Sequence, residues 1–116
     1  MNQETEINIK QENDITIFDV HGDVTAFSEP FFTKAYQTAN DQAASKILLK
    51  FTEDAYINSG GIAILIQLLA QTKRNNQQIC ITGLSNHFKK IFNMVGITKF
   101  ARIYNTVDEA VNNMCD

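Results

Sequence analysis

Apolar and polar residues alternate in the first part of the chain, and this pattern predicts strands. Alternation before and after a polar turn at residues 11–14 predicts a hairpin whose first strand lies at a sheet edge. Later apolar runs lack this alternation, as do strands that are covered on both faces. The predicted strands are Ile7–Lys10, Ile15–His21, Lys46–Phe51, Gln78–Thr82 and Ala101–Tyr104.

Between and after the strands, apolar residues recur at intervals of three and four, which predicts four helices that each bury one face. Ser28, Ser85 and Thr106 are the expected caps of the first, third and fourth helices, and Gly96 is the expected stop of the third. The first helix should end near residues 40–41. The expected buried residues are Phe32, Ala35, Tyr36 and Ala39 in the first helix; Ile62, Leu65, Ile66 and Leu69, widened by Ile64 and Leu68, in the second; Phe88, Ile91, Phe92 and Val95 in the third; and Val107, Ala110, Val111 and Met114 in the fourth.

The order of these elements predicts an α/β fold. A hairpin and a helix are followed by strand and helix three times, which favours a mixed, mostly parallel sheet of about five strands with about four helices. No linker or repeat divides the chain, so we expect one domain over residues 1–116. Functional positions in such sheets lie beyond the carboxyl ends of the strands, and the Asn58–Gly61 turn follows the third strand there.

Charge and hydropathy argue against several classes of function. The net charge is −3, which argues against direct nucleic-acid binding. The longest apolar run, Ile62–Ala70, is interrupted by Gln67 and is too short for membrane insertion. The first residues are polar and acidic and do not resemble a secretory signal, so we expect a cytoplasmic protein.

The chain offers no recognisable catalytic or metal-binding set. Cys80 lies in an apolar run and is expected in the core, whereas Cys115 is expected to be exposed; neither suggests a disulfide or a zinc site. His21 and His87 lack visible partners and are expected at the surface. We therefore expect no catalytic residue, no metal and no cofactor, and an enzyme is the weakest of the functional hypotheses.

Ser59 is the candidate functional residue. It lies where a helix should begin, and unpaired backbone N–H groups there favour anions. Serine is also a common N-cap, so Ser59 is expected to cap the second helix. It is in addition a candidate phosphoacceptor, because Gly60 and Gly61 would leave it accessible and would permit backbone conformations that other residues avoid.

Several segments together resemble the STAS domains, specifically the bacterial anti-sigma factor antagonists. The segment 56–65, with Asn58-Ser59-Gly60-Gly61, resembles the phosphorylation loop and the helix after it. Gly22-Asp23-Val24-Thr25 resembles the motif that follows the second strand. The segments 81–97 and 106–111 resemble the fourth strand with the third helix and the closing helix. The resemblance extends from about Ile7 to Met114.

The resemblance implies a regulatory binding protein rather than an enzyme. Unphosphorylated, such a protein holds an anti-sigma factor that is usually a serine-protein kinase, and it thereby frees a sigma factor for transcription. The kinase phosphorylates the serine that matches Ser59 and so releases itself, and a serine phosphatase reverses the switch. The partner-binding residues implied in this way are Asp23, Thr25, Asn58, Ser59, Gly60 and Gly61.

Three positions depart from the pattern common in this family. Asn58 replaces an acidic residue, Gly60 replaces a second hydroxyl residue, and Thr25 replaces an aspartate. The alternative hypothesis is accordingly a constitutive STAS interaction module of a signalling scaffold or membrane transport system, without a phosphate cycle. The charged residues Glu4, Glu6 and Lys10 at the edge strand favour a monomer or weak dimer.

Overall fold

The structure is a computed structural model that describes residues 4–114. Its strands are β1 (Glu6–Glu12), β2 (Ile15–His21), β3 (Lys46–Lys50), β4 (Gln78–Thr82) and β5 (Arg102–Tyr104). Its α-helices are α1 (Glu29–Asp41), α2 (Ser59–Arg74), α3 (Asn86–Met94) and α4 (Val107–Met114). Two short 3₁₀ turns, Ala26–Ser28 and Ile97–Lys99, precede α1 and β5 and were not predicted from the sequence.

The five strands form one sheet in the order β1-β2-β3-β4-β5. β1 and β2 form the predicted antiparallel hairpin, and all later pairs are parallel, so the predicted mixed α/β fold is confirmed. The predicted turn at residues 11–14 was too long, because β1 continues to Glu12. The turn is Asn13-Asp14, in which Asn13 has a φ of 57°, a left-handed conformation that asparagine tolerates. The third strand ends one residue early and the fifth begins one residue late.

Helices cover the two faces of the sheet unequally. α1, α2 and α3 contribute to a large core with one face of the sheet, and α4 packs on the other face in a smaller core. β2 contributes side chains to both cores, because alternate residues of a strand face opposite sides of the sheet. Phe18 and Val20 belong to the large core, and Ile15 and Ile17 belong to the smaller one. Cys80 lies in the smaller core, as predicted.

Most of the predicted helix boundaries are confirmed. The Ser85 side chain accepts a hydrogen bond from the Phe88 N–H at 3.3 Å, and the Thr106 side chain accepts one from the Glu109 N–H at 3.1 Å. Gly96 follows α3 with a φ of 86°, a conformation that favours glycine. The four residues expected to be buried in α1 are buried.

The predicted buried face of α2 was rotated from the observed one. The predicted stripe included Ile66, which is 36% exposed, and the observed face begins earlier, at Gly61. The buried face continues at the positions three, four, seven, eight and eleven residues after Gly61, which is the spacing of one helix face. The buried residues of α2 are Gly61, Ile64, Leu65, Leu68, Leu69 and Thr72. Val95 was also predicted to be buried, but it lies just beyond the end of α3 and is exposed.

None of the helices between residues 4 and 114 combines the length and the apolar character needed to cross a bilayer.

Replacing Leu65 with alanine tests the observed orientation of α2. Leu65 is fully buried, so Leu65→Ala should lower the free energy of unfolding by about 3 kcal/mol through lost apolar contact and a cavity. Ile66→Ala, the neighbouring control on the exposed face, should cost less than about 1 kcal/mol. Urea denaturation measures both values, and equal losses would contradict this orientation of the helix.

Candidate functional site

An isolated parallel bridge joins the two segments that carry the predicted site residues. Val24 pairs with Ile57, the Val24 N–H donates to the Tyr56 carbonyl at 2.8 Å, and the Asn58 N–H donates to the Val24 carbonyl at 3.1 Å. This bridge lies beyond the carboxyl ends of β2 and β3, at the edge where the sequence places the site. All six residues named as candidates therefore belong to two adjoining segments, 23–25 and 58–61, although their role in binding stays a prediction.

Asn58, and not Ser59, caps α2. The Asn58 backbone is extended, with a φ of −94° and a ψ of −177°, and its side-chain oxygen accepts a hydrogen bond from the Gly61 N–H at 2.9 Å. The prediction that Ser59 caps the helix was therefore wrong. Asparagine and serine both make good caps. The hydrogen bond from the Asn58 N–H to the Val24 carbonyl holds the Asn58 backbone outside the helix, so Asn58 is the residue that caps it.

Ser59 is the first residue of α2, and its side chain is exposed. Within residues 4–114 its hydroxyl makes no hydrogen bond, and the backbone N–H groups of Ser59 and Gly60 have no acceptor. The helix has 16 residues, so the positive end of its dipole lies at this serine. The hydroxyl is thus accessible, and a negative charge attached to it would face two unused donors.

Gly60 and Gly61 allow close packing rather than unusual backbone conformations. Neither has a positive φ, so that part of the prediction was wrong. A Cβ atom on Gly61 would lie 2.2 Å from the Val24 carbonyl oxygen, and one on Gly60 would lie 3.0 Å from the Ala26 Cβ. The first turn of α2 therefore rests directly on the chain between β2 and α1, which a side chain at Gly61 would prevent.

The segment between β2 and α1 is held by its own hydrogen bonds. The Phe27 N–H donates to the Thr25 hydroxyl oxygen at 3.1 Å, and the Thr25 N–H donates to the Ser28 hydroxyl oxygen at 2.9 Å. Ser28 also contacts Thr5, and its side chain makes no capping hydrogen bond to α1. The predicted capping role of Ser28 was therefore wrong, because its buried hydroxyl fixes the preceding 3₁₀ turn instead.

Two exposed aromatic side chains adjoin this site and were not predicted to belong to it. Phe27 is 88% exposed and Tyr56 is 54% exposed. Beside Phe27 lies a cleft of about 320 Å³. Its lining residues are Glu4, Thr5, Asp23, Thr25, Phe27, Ser28, Phe31 and Asn58. The available sequence signal was that Phe27 is a large apolar residue outside every predicted buried stripe and lies two residues after Thr25.

The surroundings of Asp19 and Cys80 shift the pKa values of these two side chains. Burial raises the pKa of the Asp19 carboxyl, but bonds from Lys10 at 3.3 Å and His21 at 3.2 Å outweigh it, so this pKa lies below its ordinary value. Burial raises the pKa of the Cys80 thiol to about 11, which keeps it protonated and unreactive. His21 and His87 are exposed, as predicted, and the Cys115 prediction falls outside the described residues.

Among residues 4–114, no three His, Cys, Asp or Glu side chains are placed so that they could hold a metal ion.

Alanine substitutions at the start of α2 distinguish the capping residue, Asn58, from the candidate phosphoacceptor, Ser59. Asn58→Ala should lower the free energy of unfolding by about 1 kcal/mol, because the Gly61 N–H loses its acceptor. Ser59→Ala should change it by less than about 0.5 kcal/mol, because the serine hydroxyl makes no hydrogen bond in the described part of the chain. Chemical denaturation of both variants is the measurement, and a larger loss for Ser59→Ala would refute this assignment of the cap.

Comparison with known proteins gives consistent results over nearly the whole chain. The family model of the STAS domain matches residues 6–110. An anti-sigma-B factor antagonist of Listeria monocytogenes is 23% identical over 113 residues, covering 97% of this chain and 98% of the relative.

Solved structures share the fold. An anti-sigma factor antagonist from Mycobacterium paratuberculosis has a TM-score of 0.80 at 14% identity and covers 97% of this chain and 96% of its own. The Bacillus cell fate determinant SpoIIAA in its phosphorylated form has a TM-score of 0.69 at 14% identity, with 94% of this chain and 99% of its own covered. Because the family model matches most of its length, this chain belongs to the STAS domain family.

Proposed function

We propose that this protein is an anti-sigma factor antagonist that binds an anti-sigma factor through the surface around Ser59 and is switched off by phosphorylation of Ser59. The observation that carries the proposal is the exposed Ser59 hydroxyl, which makes no hydrogen bond among residues 4–114, at the N-terminus of a 16-residue helix. The names of the relatives support it, and one structure with the same fold is of a phosphorylated protein.

The helix end would let the fold accept the phosphate. A phosphoserine adds nearly two negative charges and three acceptor oxygens. The unused N–H groups of Ser59 and Gly60 and the helix dipole would stabilise these charges, so the domain itself should stay folded. The main consequence would fall on a partner packed over the site, because desolvating an unpaired phosphate in an interface is costly.

The surroundings of Ser59 offer a surface suited to such a partner. Phe27 and Tyr56 project on the two segments joined by the Val24–Ile57 bridge, and aromatic anchors of this kind dominate many interfaces. The backbone near these two rings includes the remaining candidates, Asp23, Thr25, Asn58, Gly60 and Gly61. The partner would therefore cover the serine together with both aromatic rings.

The replacement of an acidic residue by Asn58 is compatible with this switch. An amide oxygen caps the helix as a carboxylate would, and the Gly61 N–H is satisfied either way. The amide also removes one negative charge beside the phosphate, which lessens the repulsion that a phosphorylated state would experience. The partner kinase would then recognise a less acidic loop, and a serine phosphatase would restore the unphosphorylated form.

Mass spectrometry after incubation with ATP tests the phosphorylation step. The purified protein is mixed with an anti-sigma factor kinase from the same organism, and phosphate should appear on Ser59 and on no other residue. Ser59→Ala should remove the label, whereas Ser85→Ala, a control at another helix start, should retain it. A protein that still binds the anti-sigma factor but receives no phosphate on Ser59 would refute the switch and favour the constitutive interaction module.

Truncation of Phe27 tests the proposed binding surface. Phe27→Ala should weaken binding to the same anti-sigma factor roughly 30-fold, or about 2 kcal/mol, because a large exposed ring would lose its partner contacts. The control is Met94→Ala, which removes a similarly exposed apolar side chain from α3. Calorimetric titration gives both affinities, and an unchanged affinity for Phe27→Ala would place the interface elsewhere.

A further inference from the structure

The charges of this chain are divided unequally along the sequence. From Tyr56 to Val107 there are six Lys and Arg residues and no Asp or Glu. The rest of the chain holds the other four Lys and Arg residues and all 13 Asp and Glu residues. Although the net charge of the whole chain is −3, the part from Tyr56 to Val107 is basic. This basic half contains α2, β4, α3 and β5.

Part of this basic half is also apolar and exposed. Met94 is 82% exposed at the end of α3, and Val95 and Phe100 are 47% and 43% exposed on the turn that leads to β5. The Lys73 ammonium lies 5.4 Å from the centre of the Phe100 ring, which joins the end of α2 to this turn. Lys99 and Arg102 are exposed beside Phe100. We call these six residues the basic-apolar end.

The basic-apolar end lies far from Ser59. α2 starts at Ser59, beyond the carboxyl end of β3, and runs back to Arg74, before the amino end of β4. Its 16 residues span about 24 Å. A ligand at this end and a partner at Ser59 could therefore be bound at the same time.

The described carboxylates at the same end of the sheet lie away from the β5 edge, where the basic-apolar end is found. Glu12 and Asp14 belong to the β1–β2 hairpin, and Asp41 ends α1, whereas the basic-apolar end adjoins β5 at the opposite edge. Asp14 already pairs with Lys46 at 3.0 Å. An anionic surface that approaches from the β5 side would therefore meet cations before it meets these carboxylates.

We propose that the basic-apolar end binds an anionic membrane surface reversibly. Lysine and arginine can hold their charges at the level of lipid phosphates while their stems and nearby apolar side chains enter the interface. Met94, Val95 and Phe100 would supply those apolar side chains, and Lys73, Lys99 and Arg102 the charges. A protein interface is the less suited alternative because lysine is depleted there, and a nucleic acid needs a longer basic track.

Sedimentation with lipid vesicles tests this proposal on the whole chain. The protein should bind vesicles of equal parts phosphatidylglycerol and phosphatidylcholine at low salt and should be released at high salt. Vesicles of phosphatidylcholine alone should not bind it. Absence of binding to the anionic vesicles, or equal binding to both kinds, would overturn the proposal.

Matched variants assign the binding to particular residues. Lys99→Glu should weaken vesicle binding roughly tenfold, whereas Lys34→Glu, an equal charge change at an exposed position of α1, should leave it unchanged. Met94→Ser should also weaken binding, and its thermal unfolding should match that of the parent protein because Met94 is exposed. Equal effects of the two lysine variants, or binding of a DNA duplex in place of vesicles, would refute the membrane assignment.

Discussion

The backbone contact between Val24 and the start of α2 is the constraint on which the site depends. The Val24 carbonyl accepts a hydrogen bond from Asn58 and lies where a side chain on Gly61 would have to be. This contact keeps Asn58 outside the helix, makes Ser59 its first residue and fixes the rotation of α2 about its axis. The same segment continues into the 3₁₀ turn that presents Phe27. One close approach therefore sets the position of the serine, the cap and the aromatic ring.

This arrangement divides the chemistry between the protein and its proposed partner. The described chain supplies an accessible hydroxyl and a helix end that tolerates negative charge, but its buried thiol is protonated and its histidines are exposed. A phosphate at Ser59 would change what can dock there without disturbing the core. The basic-apolar end lies at the other end of α2, so a change of charge at Ser59 would be largely screened before reaching it.

Periodicity and turn chemistry were sufficient to predict most of the fold. Strands β2 and β4 have the predicted bounds, and Gly96, Ser85 and Thr106 act as predicted because their roles depend on neighbours within a few residues. The choice of Asn58 over Ser59 as cap and the exposure of Ile66 were not predictable in this way. Both depend on a contact with Val24, more than 30 residues earlier in the chain, which no local pattern records.

Whether phosphate on Ser59 controls partner binding is tested by comparing the affinity of one anti-sigma factor for two forms of this protein. Calorimetric titration would use the unphosphorylated protein and the same protein carrying phosphate on Ser59, with circular dichroism as a check that both are folded. The phosphorylated form should bind at least roughly a hundredfold more weakly, and its spectrum should be unchanged. Equal affinities of two folded forms would contradict this control by phosphate.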